Sequence, residues 1–218
     1  MENERDSGDN ASREAAMARL IDENAMLREQ LSNLEIARAE YPVLRFVEVS
    51  VIPEAFPHPD GTILNRGTED GVIPQSIVVS QGALLGVVVR AGPRTSWMRY
   101  ISSNDSYIPA KAVPGASGDT PLTPPTGESS TGELCLLSGI GQDEAQASFY
   151  AVETQAREGW FIVTASDGAL RLPEGILIGT LTADPVDSGE PGIKTATIRL
   201  AASRWRTTTA VAVKELRQ

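Results

Sequence analysis

The sequence predicts a mainly β protein, built as small antiparallel barrels behind a single N-terminal helix. Three observations carry this. Two blocks, ILNRGTEDGVIPQSIVVSQGALLGVVV from Ile63 to Val89 and EGWFIVTASDGALRLPEGILIGTL from Glu158 to Leu181, cut short Val/Ile runs with Gly, Asn, Asp or Pro. Strands only a few residues long must reverse sharply, and those residues supply the turns. From Met17 to Leu34, by contrast, Met17, Leu20, Leu27, Leu31 and Leu34 stand at a helical spacing that does not recur beyond Pro42.

Residues 1–13, opening MENERDSGDN, are too polar to bury and are expected to be disordered. The helix is expected over 14–42. Met17, Asn24 and Leu31 take position a of a heptad, and Leu20, Leu27 and Leu34 take position d. Strong helix formers surround them, and Pro42 stops the run. Leu at d with one Asn at a is the pattern of a parallel two-stranded coil, in which an Asn pair fixes register. The competing reading is a lone amphipathic helix on its own domain, but such a helix shows a wider apolar stripe. Here the flanks are mostly charged or small.

After Pro42, strands are expected at 44–52, 62–65, 76–80, 83–90, 97–101, 106–113, 133–138, 147–153, 159–164, 176–182, 193–201 and 207–216. Many short strands at close spacing imply a sandwich or barrel, not a parallel α/β sheet. Gly71 to Val89 is the longest uncharged stretch, yet Pro74, Gln75, Ser80, Gln81 and Gly82 interrupt it. Two strands joined by a Ser-Gln-Gly turn explain it better than a helix in lipid. Residues 112–132 hold 15 Pro, Gly, Ser or Thr among 21, so a flexible loop is expected over 113–132.

Composition narrows the function classes. Only 5% of the 218 residues are aromatic, so cores must be built from Val, Ile, Leu and Ala. The net charge is −10, with −5 on residues 1–42 and +5 on residues 194–218. An acidic chain is a poor nucleic-acid ligand, because phosphate contacts need clustered cations. The basic end reads as a solvated strand face. One cysteine, Cys135, permits no intrachain disulfide, and with one histidine, His58, it cannot supply a four-ligand zinc site. No cofactor is expected.

A Ser-His-Asp site needs a histidine between nucleophile and acid. His58 is the sole candidate, and Phe56-Pro57-His58-Pro59-Asp60-Gly61 is a turn sequence. No Gly-x-Ser-x-Gly elbow exists, and Asp187-Ser188-Gly189 lacks its flanks. The acidic pairs Glu69-Asp70 and Asp143-Glu144 sit in turn-like sequence and read as solvated surface. No catalytic, cofactor or metal residue is assigned, and the chain is expected to be non-enzymatic.

The ordered motifs also resemble a family. Asn65, Gly67, Gly71 and Val72 precede Gly86-Val87-Val88; later Val163-Thr164-Ala165-Ser166 precede Pro173, Gly175, Ile178 and Gly179. This order, behind a helix, resembles the bacterial cell-shape protein family MreC over roughly residues 17 to 213. The resemblance implies two small six-stranded antiparallel barrels, the second inserted into the first: 43–82 with 185–218, and 83–184. It implies a dimeric scaffold of the cell-wall elongation machinery on the periplasmic face of the inner membrane, anchored by an N-terminal helix that this chain lacks. Its implied partners are an MreD-like membrane protein, an MreB-like cytoskeletal system, a penicillin-binding transpeptidase and a RodA-like glycosyltransferase. Two other readings join coils to barrels. A barrel-fold hydrolase oligomerised by its helix would need the missing triad, and a periplasmic efflux or secretion adaptor usually carries a helical hairpin between β halves.

Overall fold

Among the described residues thirteen strands follow one another, with a single short 3-10 turn, Thr68–Asp70, between them. The computed structural model describes residues 28, 35, 45–52, 58–115, 132–151, 153–165, 172–203 and 209–214. The expected tail 1–13, the seam residues Met17, Leu20, Asn24, Leu27, Leu31 and Leu34, and most of the expected loop lie outside them. Of the segment 14–42 only Arg28 and Glu35 are described; both are helical and exposed, and both stand off the expected seam.

The strands are β1 Arg45–Ile52, β2 Gly61–Leu64, β3 Ile77–Ser80, β4 Ala83–Ala91, β5 Ser96–Tyr100, β6 Tyr107–Val113 and β7 Glu133–Gly141. They continue as β8 Glu144–Phe149, β9 Phe161–Thr164, β10 Leu177–Leu181, β11 Val186–Asp187, β12 Lys194–Leu200 and β13 Thr209–Lys214. Each expected strand is present within a few residues of its place. The largest shift is at β8, which begins at Glu144 where 147 was expected, because Gln142 and Asp143 (φ 51° and 60°) reverse the chain early. The two-residue β11 was not foreseen.

Pairing closes on itself. In the first ring β4, β3, β13, β1, β2 and β5 pair in turn, and β5 returns to β4, making a closed six-stranded barrel. A second cycle runs β12, β8, β7, β6, β9 and β10, and β10 returns to β12. This grouping divides the strands differently from the boundaries expected at 82/83 and 184/185. β4 and β5 pair in the first ring, and β12 pairs with β8 and β10 in the second. The reason is local. Gln81 and Gly82 both take positive φ (51° and 77°), the two-residue turn that lays β4 directly back along β3.

The rings share a wall. On β3, Ile77 and Val79 join the core of the second ring, whereas Val78 joins that of the first. On β4, Leu84 faces the second core and Ala83, Leu85 and Val88 face the first. Leu177 of β10 reciprocates: it pairs with Ala83 and is buried in the first ring's core. Both faces of β3 are therefore apolar, which is why IVV reads as a continuous run and not as an alternation.

Candidate docking surface

The motif residues are structural. Asn65 Oδ1 accepts the Ser50 amide at 2.7 Å while its own amide donates to the Ser50 carbonyl at 3.1 Å, so one side chain extends the β1–β2 ladder. Gly67 is pressed against the β4–β5 connection: a Cβ there would lie 2.2 Å from the Gly92 carbonyl oxygen. Gly86 and Gly179 play matching parts. A Cβ on Gly86 would lie 2.3 Å from the Arg99 oxygen, and one on Gly179 would lie 2.2 Å from the Arg199 oxygen. Each glycine sits where its ring closes, at β4–β5 and at β10–β12, where strands bend sharply past one another. Thr164 is fully buried; its hydroxyl donates to the Pro173 carbonyl and accepts the Ile176 amide, while its carbonyl accepts the Gly175 amide. The two halves of the second motif thus lock together.

The titratable groups do not form a triad. His58 is exposed, its Nδ1 accepts the Asp60 amide at 3.2 Å, and its ring stands edge-on to Trp97. Ser103 Oγ donates to Asp60 Oδ1 at 2.9 Å, and His58 Nδ1 lies 3.6 Å from Asp60 Oδ2. The carboxylate therefore stands between serine and histidine, so the histidine cannot take the serine proton. Ser188 Oγ donates to the Ile193 carbonyl inside the β11–β12 hairpin. Asp70 caps the Gly67 amide, and Asp143 accepts Ser203 Oγ, so both acidic pairs serve turns. Burial, with the Glu133 carboxylate adding to it, pushes the Cys135 thiol from 9.0 up to about 12, which leaves it protonated and inert at neutral pH. Among the described residues no three His, Cys, Asp or Glu side chains gather as metal ligands, and no helix is long and apolar enough to cross a membrane.

What the surface offers is apolar area. Among the described residues, Leu134 (69% exposed), Tyr150 (65%), Tyr107 (60%) and Ile140 (48%) lie on or just beyond β6, β7 and β8. Alternation puts them outside: Cys135, Leu137 and Gly139 are buried, so Leu134, Leu136, Ser138 and Ile140 share the outer face of β7. Register joins the neighbours, with Leu136 opposite Pro109 and Ser148, and Ser138 opposite Tyr107 and Gln146. The stripe runs about 20 Å along β7 and about 10 Å across three strands. The Lys111–Glu174 ion pair, 2.8 Å, stands at its margin. Large apolar residues gathered on one outer face, with Ser138, Gln146 and Ser148 among them, mark an interaction face more than scattered exposed residues do. Sequence inspection missed it, because Leu134 and Tyr107 look like ordinary strand residues until their register is known. Strand addition, by contrast, has little room. Among the described strands β11 alone ends the pairing order unclosed; it is two residues long, carries Asp187 and follows Pro185.

The family described as rod shape-determining protein MreC, barrel core, matches residues 56–214. The fold is similar to a solved MreC structure that is 21% identical, over 89% of this chain and 99% of that one, with a TM-score of 0.68. It is also similar to MreC of Listeria monocytogenes, 19% identical over 95% and 94% of the two chains, TM-score 0.65. A third similar structure belongs to a complex between penicillin-binding protein PBP2 and MreC from Helicobacter pylori. There identity is 11% over 80% and 99% of the two chains, and the TM-score is 0.56. No curated protein sequence matches the chain. With a family match that runs from residue 56 to the end of β13, the chain belongs to the rod shape-determining MreC family.

Proposed function

We propose that the chain is a non-enzymatic scaffold of the cell-wall elongation machinery, and that the outer face of β6, β7 and β8 docks a penicillin-binding transpeptidase. The single observation that carries the docking surface is the exposed stripe of Tyr107, Leu134, Ile140 and Tyr150. Buried aromatic and aliphatic anchors supply most of the binding energy in protein interfaces, and closed rings can bind through faces far more readily than through edges. The Helicobacter pylori complex supports the choice of partner class. The second cycle of strands is read as the second, inserted barrel.

In the same reading Met17, Leu20, Asn24, Leu27, Leu31 and Leu34 form the seam of a parallel homodimer. The chain stands at the extracytoplasmic face of the inner membrane. An MreD-like membrane protein connects it to an MreB-like cytoskeletal system, and the RodA-like glycosyltransferase works beside the docked transpeptidase.

The test is rescue of cell shape. The chain, tethered to the inner membrane, is expressed in the native host depleted of its own copy, beside a Tyr107→Glu/Leu134→Glu variant and a His58→Ala variant. Rods are expected from wild type and His58→Ala, and rounded cells from the double variant at equal protein level. Full rescue by the double variant would remove the docking face from the account. Rounded cells with His58→Ala, its fold intact, would favour a hydrolase.

A further inference from the structure

We infer that the two rings are locked as one rigid body, and that the Ile101–Ser106 turn between β5 and β6 sets their angle. The inference concerns the free chain and does not depend on which partner binds it.

Two independent sets of contacts meet at this junction. The first is the shared wall. Ile77, Val79 and Leu84 of the first ring are buried in the second ring's core, and Leu177 of the second is buried in the first's. Phe46, near the start of β1, packs on the same second-ring cluster, so the point where the chain enters the barrel is tied to the far ring as well. Separating the rings would expose all of these side chains to water.

The second set is polar and lies along the turn. On the first-ring side, Ser103 Oγ donates to Asp60 Oδ1 at 2.9 Å, and the Tyr100 amide donates to the Asp60 carbonyl at 3.0 Å. On the second-ring side, the Gly141 amide donates to the Ser102 carbonyl at 2.8 Å and the Gly139 amide to the Ser106 carbonyl at 3.3 Å. Ile101 closes the turn from below by entering the second core. Ser102, Ser103 and Ser106 are all buried, unusual for a connection between two units, which is normally exposed and loosely held.

Gly139 is the contact that admits no substitute. A Cβ there would lie 2.2 Å from the Ser103 oxygen and 2.3 Å from the Ser102 carbonyl carbon. The backbone of β7 therefore rests directly on the turn, and a single methyl group would push the second ring away from it. The consequence is a fixed geometry: the docking face on β6–β8 is held at a constant angle to the first barrel, and partners on the two rings are spaced by a ruler, not a hinge.

Pulsed electron spin resonance on the full chain tests this. Spin labels go on cysteines placed at the exposed positions Arg94 in the first ring and Gln146 in the second, in a Cys135→Ala background. The expected result is one narrow distance distribution. The Gly139→Ala variant, folded by circular dichroism, is expected to broaden or shift it. A broad or two-peaked distribution in the unsubstituted background would overturn the rigid body. A folded Gly139→Ala protein with an unchanged distribution would overturn the role of the turn. Should Gly139→Ala fail to fold, Leu177→Ala, which removes wall contacts only, must broaden the distribution, and an unchanged one counts against the lock.

Discussion

Gly86 and Gly179 hold equivalent duties in two rings whose strands are otherwise unlike. At each, the opposing carbonyl oxygen occupies the place of a side chain, so the neighbour that would have to move is backbone. Gly86→Ala and Gly179→Ala are each expected to destabilise the chain by about 2 kcal/mol or more, as overpacking in a closed core does. Urea titration of single variants checks this, and a change below about 0.5 kcal/mol at either site would show that the strands slide apart freely. These two glycines, with Gly67, could be found in the sequence because each lies inside a recognisable motif. Gly139 could not, since its constraint is the Ser102–Ser103 backbone, distant in sequence. Cys135 gives a second prediction at this scale. Its folded pKa is raised above the unfolded 9.0, so the neutral thiol's contribution is intact below pH 9. It declines between pH 9 and about 12, where the unfolded chain ionises and the folded one does not, by up to roughly 4 kcal/mol. Comparison with Cys135→Ala isolates the effect: the gap between the two stability curves should change only above pH 9. A gap that instead moves between pH 6 and 8 would contradict the assignment.

Most strands were legible because Gly, Pro, Asn or Asp, which act locally, stand beside them. Their partners were not, because closure joins β13 to β1 across most of the chain and β12 to β8 past three intervening strands, and no local signal encodes such pairs. Even so, Ser80-Gln81-Gly82 carried more information than the boundary placed after it: a two-residue hairpin keeps consecutive strands adjacent, so β4 had to follow β3 into the same ring. β11 is too short to leave a pattern. The helix is the element whose prediction is read from periodicity alone. Leu27→Asp should put facing carboxylates into the seam, at a cost of several kcal/mol, and so dissociate the dimer while the β rings stay folded. Asn24→Leu should raise coil stability and loosen its register. Light scattering with circular dichroism separates the outcomes. A Leu27→Asp chain that loses its β signal would mean that the helix packs on its own rings.

As a whole molecule, the chain presents two faces of unequal character. Among the described residues, the exposed large apolar side chains of the first ring are Ile73 and Val89, whereas the second gathers Tyr107, Leu134, Ile140 and Tyr150 on or beside three adjoining strands, with Val186 apart on β11. The ordered Ser103–Asp60–His58 contacts, among the described residues, place the acid in the middle, and the lone thiol is buried. The proposed rigid two-ring body, with apolar side chains gathered on β6, β7 and β8, suits a protein that positions others. Its family was legible from motif order, and the proposed docking face was not, because only register brings residues 107, 134 and 150 together. The most direct measurement is a binding titration of the cognate penicillin-binding transpeptidase against the purified chain and its Leu134→Glu and Tyr107→Glu variants. Interface anchors of this kind are worth about 2 kcal/mol, so each variant should bind roughly thirtyfold more weakly with its fold unchanged. Variants that bind within about twofold of wild type would contradict the account.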